Sequence, residues 1–93
     1  MTYIVVAYDI SSNVRRFEAA EKLKGLGFVR IQKSLYIGRG GVALAKEAYR
    51  ALLRVIDKTT DSVFIVVVPR EAIEKAFAYG LQNVLGDEKS KVL

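Results

Sequence analysis

Two apolar segments of the chain, residues 3–8 and 63–68, lack the alternation of apolar and polar positions. Both are rich in β-branched and aromatic residues, which favour strands, and Pro69 closes the second segment. An antiparallel strand with one face in water would alternate apolar and polar residues. Both faces of these two predicted strands are therefore expected to be buried.

The remaining elements follow from the spacing of apolar positions and from turn residues. Helical periodicity predicts helices over Val14–Gly25, Val42–Ile56 and Arg70–Tyr79. Residues 28–37 are extended, with a turn near residues 32–33. The resulting β-α-β-β-α-β order predicts an α+β fold. Its natural form is a ferredoxin-like sandwich, with an antiparallel sheet that carries both long helices on one face.

The predicted ferredoxin-like domain occupies residues 1–80, and residues 81–93 form a C-terminal appendage in which residues 81–85 have a weak strand pattern. The sheet face away from the helices is also apolar. A chain of this size buries a modest core, and its apolar fraction of 52% exceeds what such a core requires. We therefore predict a two-fold homodimer through that sheet face or through the strand edges beside it.

The composition excludes several kinds of chemistry. Cysteine and histidine are both absent, so disulfides, thiolate nucleophiles, imidazole bases and imidazole metal ligands are not available. Acid–base or metal chemistry must use carboxylates, tyrosines, lysines or water. The apolar runs are far shorter than the ~20 residues that span a bilayer, and the N-terminus has no signal-peptide pattern. A cytoplasmic location without a membrane partner is expected.

Positive charge is concentrated in the middle of the chain. Residues 15–58 hold eleven of the fifteen basic residues and four of the ten acidic residues. This concentration favours a polyanionic partner such as RNA or DNA, with ordinary solvated side chains as the alternative. For the basic stripe of Lys46, Arg50 and Arg54 on the second helix, the solvated face is the preferred interpretation.

Asp9 is an isolated carboxylate at the end of the first apolar segment. Its side chain is expected to point in the same direction as Val5 and Ala7, and the first helix begins just beyond it. Asp9 either caps that turn or helix or takes part in chemistry. In a two-fold dimer, two Asp9 carboxylates could converge on one Mg²⁺ and thereby polarise a phosphodiester and supply a hydroxide nucleophile.

Candidate contacts to nucleic acid are basic residues and tyrosines around Asp9 in the sequence: Tyr8, Arg15, Arg16, Arg30, Lys33, Tyr36 and Arg39. Arg15 and Arg16 lie in the first turn of the first helix, where backbone N–H groups also favour anions. Tyr8 and Tyr36 are candidates for stacking on bases or bonding to phosphates, and an ordinary core position is the alternative for both.

The motifs Tyr8-Asp9-Ile10, a polar turn, an arginine at position 16 and the stretch GFVRIQKSLY over residues 27–36 resemble the CRISPR-associated Cas-two family. Members of this family are small subunits that work with the Cas-one integrase in the acquisition of spacers. The motifs cover about the first 40 residues, and the hydrophobic pattern agrees with the family through Val68.

The resemblance implies a ferredoxin-like homodimer with the two sheets facing each other and a Cas-one integrase subunit as partner. It implies a divalent metal, Mg²⁺ or Mn²⁺, shared by Asp9 of each protomer, and for some members metal-dependent cleavage of RNA or DNA. By matching position, four residues fall near that site: Arg16, Arg30, Ser34 and Tyr36. Glu18 stands where some members carry a second arginine. In the family, the C-terminal strand often pairs with the other protomer's sheet.

Three functional hypotheses follow. The first is a Mg²⁺-dependent endonuclease in spacer acquisition, with Asp9 as the catalytic and metal-binding residue. The second is a non-catalytic dimer that binds DNA through its phosphates and bridges integrase subunits. The third is a toxin-type endoribonuclease of the same fold, or a regulatory ferredoxin-like domain that binds a small molecule.

Overall fold

The structure is a computed structural model that describes residues 1–80. The elements, in chain order, are β1 (Thr2–Asp9), α1 (Asn13–Gly25), β2 (Val29–Gln32), β3 (Leu35–Arg39), α2 (Val42–Leu53), β4 (Ser62–Pro69) and α3 (Arg70–Glu74). The predicted appendage over residues 81–93, with its weak strand pattern, lies outside the described residues. Within the described ones, no helix is long and apolar enough to cross a membrane.

The four strands form one antiparallel sheet in the order β2-β3-β1-β4, which confirms the predicted α+β, ferredoxin-like arrangement. β1 lies inside the sheet and pairs along its length with β4, from Thr2 opposite Pro69 to Asp9 opposite Ser62. Its other edge pairs with β3. Because β1 has a neighbour on each side, its register positions the residues at its end, including Asp9.

Alternate residues of β1 point to opposite faces of the sheet. Ile4, Val6 and Tyr8 are buried against α1 and α2. The other face, which carries Tyr3, Val5, Ala7 and Asp9 on β1 and is called the outer face below, points away from those helices. The largest fully buried side chains of the core are Tyr36, Ile4, Leu23, Leu52 and Val6.

α2 ends at Leu53, three residues earlier than its apolar spacing predicts. The backbone N–H groups of Val55 and Ile56 both donate to the Leu52 carbonyl, at 2.9 and 3.1 Å, which tightens the last turn. The next N–H group, of Asp57, donates to the carboxylate of Asp61 instead of a helical carbonyl. Val55 and Ile56 still pack against the core, so their apolar spacing has a structural reason outside the helix.

α3 is also shorter than predicted and ends at Glu74. Residues 76–79 lie beside the outer face, and the Gln32 side-chain amide donates to the Tyr79 carbonyl at 3.2 Å. Together with Ile73 of α3, they enclose a cavity of about 390 Å³ against β1, β2 and β3. The chain thus covers one part of its own outer face. On β4, Phe64 stays 64% exposed.

Gly38 provides a test of the packing between β3 and the segment after α1. A Cβ atom at this position would lie 2.8 Å from a ring carbon of Phe28, which is itself buried. We therefore expect Gly38→Ala to lower the free energy of unfolding by about 1–3 kcal/mol, because the ring must move to relieve the overlap. The measurement is urea denaturation followed by circular dichroism.

Gly25→Ala is the matched control, since a Cβ atom there would meet nothing within 4 Å and the residue ends α1. It should leave the midpoint unchanged or raise it slightly, because alanine is the better helix former. Equal midpoints for the two variants would contradict the packing described here.

Candidate functional site

Asp9 is exposed at the end of β1. Among residues 1–80, its carboxylate has no hydrogen-bond or ion-pair partner. The N-cap of α1 is Ser12, whose hydroxyl oxygen accepts a hydrogen bond from the Arg15 backbone N–H at 3.3 Å. Helix capping therefore does not account for Asp9, and its carboxylate is open to a ligand.

The turn between β2 and β3 lies beside the end of β1. The Tyr8 backbone N–H donates to the Ser34 carbonyl at 3.2 Å, which extends the pairing of β1 and β3 beyond Ala7. The Ser34 backbone is therefore next to the strand end that carries Asp9. Lys33, in the same turn, is exposed.

Arg16 is bound to the protein itself. Its guanidinium donates to the Ile10 carbonyl at 2.6 Å and to the Asn13 side chain. Because Ile10 follows Asp9 directly, these bonds hold the backbone at the candidate site. The structure thus brings Arg16 close to Asp9 and gives it a structural contact there.

Arg15 forms an ion pair with Asp61, its Nε lying 2.9 Å from Oδ2 of that carboxylate. Its Nη2 also donates to the Ser11 hydroxyl at 3.2 Å. The carboxylate raises the pKa of Arg15 above its ordinary value, mainly through this hydrogen bond. The sequence predicts Arg15 as a contact to nucleic acid. In the structure, its guanidinium binds the Asp61 carboxylate of the same chain.

Asp61 is the residue at this end of the sheet that the sequence analysis missed. Its side chain is fully buried and accepts hydrogen bonds from the Ser11 N–H, the Asp57 N–H and the Thr60 hydroxyl, at 3.1, 2.9 and 3.0 Å. With Arg15, these groups form what is called the Asp61 network below. The Arg15 hydrogen bond is the main reason that the pKa of Asp61 lies well below its usual range, against the opposing effect of desolvation.

Tyr8 and Tyr36 face the core, on the opposite side of the sheet from Asp9. Neighbouring residues of a strand point to opposite faces, so Tyr8 turns inward where Asp9 turns outward. The two hydroxyl oxygens are 3.4 Å apart, and Tyr36 is fully buried. Burial is the main cause that raises the pKa of Tyr36 above its usual range. The prediction that these rings stack on bases is wrong for this structure, because neither ring is accessible.

The other basic candidates are spread over the sheet. Arg30 is half-buried and lies opposite Tyr36 in the pairing of β2 with β3, where its charge opposes the rise in the pKa of that tyrosine. Arg39 lies opposite Tyr3, at the start of β1. Six residues of strand, about 20 Å, separate that position from Asp9. The structure therefore removes Arg39 from the candidate site.

Metal binding by the described residues would depend on single carboxylates. Within residues 1–80, no three acidic side chains come together in a group that could hold a metal ion. One exposed carboxylate suits Mg²⁺ or Mn²⁺, since such ions keep several waters and bind through one or two carboxylates and phosphate oxygens. Asp9 fits this donor chemistry as a single carboxylate ligand.

Comparison with known proteins gives the same family that the motifs suggest. The sequence model for CRISPR associated protein Cas2 matches residues 1–76. A CRISPR-associated endoribonuclease Cas2 from Aeropyrum pernix is 47% identical over 93 residues, which is 100% of this chain and 99% of the relative. A CRISPR-associated endonuclease Cas1/endonuclease Cas2 fusion from Thermoproteus tenax is 36% identical over 72 residues, or 77% of this chain and 27% of the fusion.

The fold is also that of a solved relative. The crystal structure of Streptococcus pyogenes Cas2 has a TM-score of 0.73 to this chain at 20% identity, and the match covers 84% of this chain and 99% of that one. At this identity, the likeness concerns the fold alone. The class observed here is an antiparallel α+β sandwich with an exposed carboxylate at the end of its first strand. The chain belongs to the CRISPR associated protein Cas2 family.

The Asp61 network should make the thermal stability of the protein depend on pH. Because its carboxylate has a lowered pKa in the folded chain, the stabilisation from Asp61 is complete above the ordinary value of 3.8 and is lost as the pH falls below it. We expect Asp61→Asn to lower the melting temperature at pH 7. The difference from the wild type should shrink as the pH falls below about 4.

The measurement is thermal unfolding of the wild type and of Asp61→Asn from pH 7 to below about pH 4. Glu47→Gln, at an exposed carboxylate on α2, is the control and should follow the wild type at every pH. A pH-independent difference between Asp61→Asn and the wild type would contradict the ionic character of the network.

Proposed function

We propose that this chain acts in CRISPR adaptation as a homodimer that binds nucleic acid beside a Cas-one (Cas1) integrase, and that it cleaves RNA or DNA phosphodiesters with a divalent metal held by Asp9. The observation that carries the catalytic part is the exposed Asp9 carboxylate, which has no partner among the described residues while Ser12 caps the helix. The names of the relatives, an endoribonuclease and a Cas1/Cas2 fusion, support the activity and the partner.

The metal would be Mg²⁺ or Mn²⁺, held by Asp9 of this chain and by the Asp9 of a second copy. When bound, such an ion polarises a phosphodiester and lowers the pKa of a bound water. The chain's own contribution is to present the carboxylate at a strand end whose register is set on both sides. Ser34 and Lys33, in the adjacent turn, would contact the backbone of the nucleic acid.

The homodimer is supported by the exposed apolar residues on β4. Phe64 and Val66 lie opposite Ala7 and Val5 in the pairing of β4 with β1, on the same outer face as Asp9. Phe64 is 64% exposed, although strand positions of this kind are normally covered. A second copy seated on this face would cover them and would bring another Asp9 to the same side of the sheet.

A second candidate function is a dimer that holds duplex DNA by its phosphates without cleaving it. Because Arg15 and Arg16 bind groups of their own chain, DNA phosphates would have to be held by cations elsewhere on the surface. The fused relative supports a bridging role beside an integrase. No observation favours the toxin-type or small-molecule hypotheses. The cytoplasmic location expected from the sequence stays a prediction.

The catalytic proposal is tested by Asp9→Asn, which keeps the shape of the side chain and removes its charge. We expect Mn²⁺-dependent cleavage of a single-stranded RNA oligonucleotide to fall at least about 100-fold, because the metal loses its protein ligand. The readout is single-turnover cleavage resolved by gel electrophoresis. Glu47→Gln is the control and should cleave as the wild type does.

Binding separates the two candidate functions. If the chain is an endonuclease, Asp9→Asn abolishes cleavage and keeps salt-sensitive binding of the oligonucleotide. Undiminished cleavage by Asp9→Asn would contradict the catalytic role of Asp9. Absence of cleavage by the wild type, together with salt-sensitive binding of a DNA duplex, would favour the non-catalytic function.

The dimer is tested by Phe64→Glu. A charged side chain at the centre of an apolar interface is costly to bury, so we expect the sedimentation coefficient to fall from that of a dimer to that of a monomer. Phe17→Glu is a matched control, since Phe17 is equally exposed, at 66%, on α1 in the helix layer. A dimer that survives Phe64→Glu and is lost in Phe17→Glu would show that the copies meet through the helices.

A further inference from the structure

The backbone that follows Asp9 is held by side chains from two other parts of the chain. Arg16 donates to the Ile10 carbonyl at 2.6 Å, and Asp61 accepts from the Ser11 N–H at 3.1 Å. The strand pairing ends with Asp9 opposite Ser62. Since Asp61 directly precedes Ser62, its side-chain bond to Ser11 continues the link between the two strands past the last paired residues.

Asp61 joins three segments of the chain. One oxygen accepts from Ser11, after β1, and the other accepts from the Asp57 N–H, before β4. Arg15 reaches the same carboxylate from the first turn of α1. A fully buried carboxylate is costly unless a cation and hydrogen-bond donors compensate its charge, and the Asp61 network supplies both.

From this geometry we propose that Asp61 is a positioning residue for Asp9, and that Arg15 serves to hold Asp61 in place and does not bind phosphate. The proposal rests on the function proposed above, because it assigns Asp61 and Arg15 their roles in presenting the same carboxylate. A displacement of about 1 Å at a reacting group can cost up to 100-fold in rate, so a fixed backbone after Asp9 matters for the chemistry.

The alternative assigns Arg15 to the nucleic acid, and the two accounts predict opposite effects on binding. If Arg15 contacts phosphate, Arg15→Gln weakens binding, and Asp61→Asn strengthens it by releasing the arginine. If Arg15 holds Asp61, both variants lower the rate of cleavage and leave the affinity unchanged. Asp61→Asn is suited to this comparison, because it keeps the volume of the side chain and removes the charge and one acceptor oxygen.

The experiment measures KM and kcat for Mn²⁺-dependent cleavage of a single-stranded RNA oligonucleotide, and the Kd of the same oligonucleotide at two salt concentrations. We expect Asp61→Asn and Arg15→Gln each to lower kcat at least about 10-fold with KM and Kd within about twofold of the wild type. The double variant should be little worse than the more affected single variant, because both residues act through one network.

Rescue provides a further readout. Arg15→Lys keeps a cation for Asp61 but loses the fork of donors, so kcat should lie between those of the wild type and Arg15→Gln. A Kd raised at least about 10-fold by Arg15→Gln, with a salt slope reduced by about one, would overturn the proposal in favour of a phosphate contact. Wild-type kcat in both single variants would overturn it as well.

Amide hydrogen exchange tests the network without any activity. The asparagine of Asp61→Asn has one acceptor oxygen, so it cannot serve the Ser11 and Asp57 N–H groups together. At least one of these two amides should exchange about 10-fold faster than in the wild type, while the Leu23 amide inside α1 stays protected. If Asp61→Asn does not fold, Arg15→Gln takes its place in this measurement and should accelerate the same amides.

The cleavage kinetics and the amide exchange together separate failure of this proposal from failure of the proposed function. If the Ser11 or Asp57 amide exchanges faster in Asp61→Asn while the wild type cleaves nothing, the network is kept and the nuclease function is rejected. Unchanged exchange at both amides, with an active wild type, would reject the positioning role and keep the nuclease.

Discussion

β1 is apolar on both faces, and its need for cover on each side determines where the rest of the chain lies. α1 and α2 bury Ile4, Val6 and Tyr8 on one side, and the largest core residues collect there. On the outer face, α3 and residues 76–79 cover the part next to β2 and β3. The part next to β4 keeps an exposed Phe64, which is why the surface is interpreted as a contact between copies.

The same strand presents the candidate site. Asp9 is the one charged residue of β1 and lies at the strand end, where the side chain leaves the apolar surroundings. An aspartate at such a turn often caps the helix or accepts from a nearby backbone N–H group, and other residues make these bonds here. Ser12 caps α1, and Asp61 binds the Ser11 N–H group. Among residues 1–80 the carboxylate of Asp9 thereby has no partner, while the backbone on both sides of it is held.

Local patterns in the sequence predict most of the fold. The apolar segments become β1 and β4, the helical spacings become α1 and α2, and the turn residues separate β2 from β3. α2 and α3 both end earlier than their apolar spacing predicts. The carboxylate of Asp61 takes the N–H group of Asp57, which follows α2. Beyond α2, Val55 and Ile56 then pack against the core outside the helix, so their spacing misleads.

The candidate site is less predictable, because its contacts join distant parts of the chain. Arg15 and Asp61 are 46 positions apart, and no local pattern pairs them. The reversal between β2 and β3 brings Ser34 to Asp9 and carries Arg39 to the other end of the sheet. Tyr36 faces inward because its register with β1 places it opposite Val6, a core residue. Sequence position near Asp9 is therefore a weak guide to position near its carboxylate.

The central proposal is that Asp9, which has no partner among residues 1–80, shares a metal ion with the Asp9 of a second copy. The most direct measurement is a crystal structure of the protein grown with Mn²⁺, with data collected for the anomalous signal of manganese. The account predicts an anomalous peak on a two-fold axis, within about 2.2 Å of an Asp9 oxygen from each of two copies that meet through their outer faces. An Asp9 carboxylate bound to a protein donor, without an anomalous peak beside it, would contradict it.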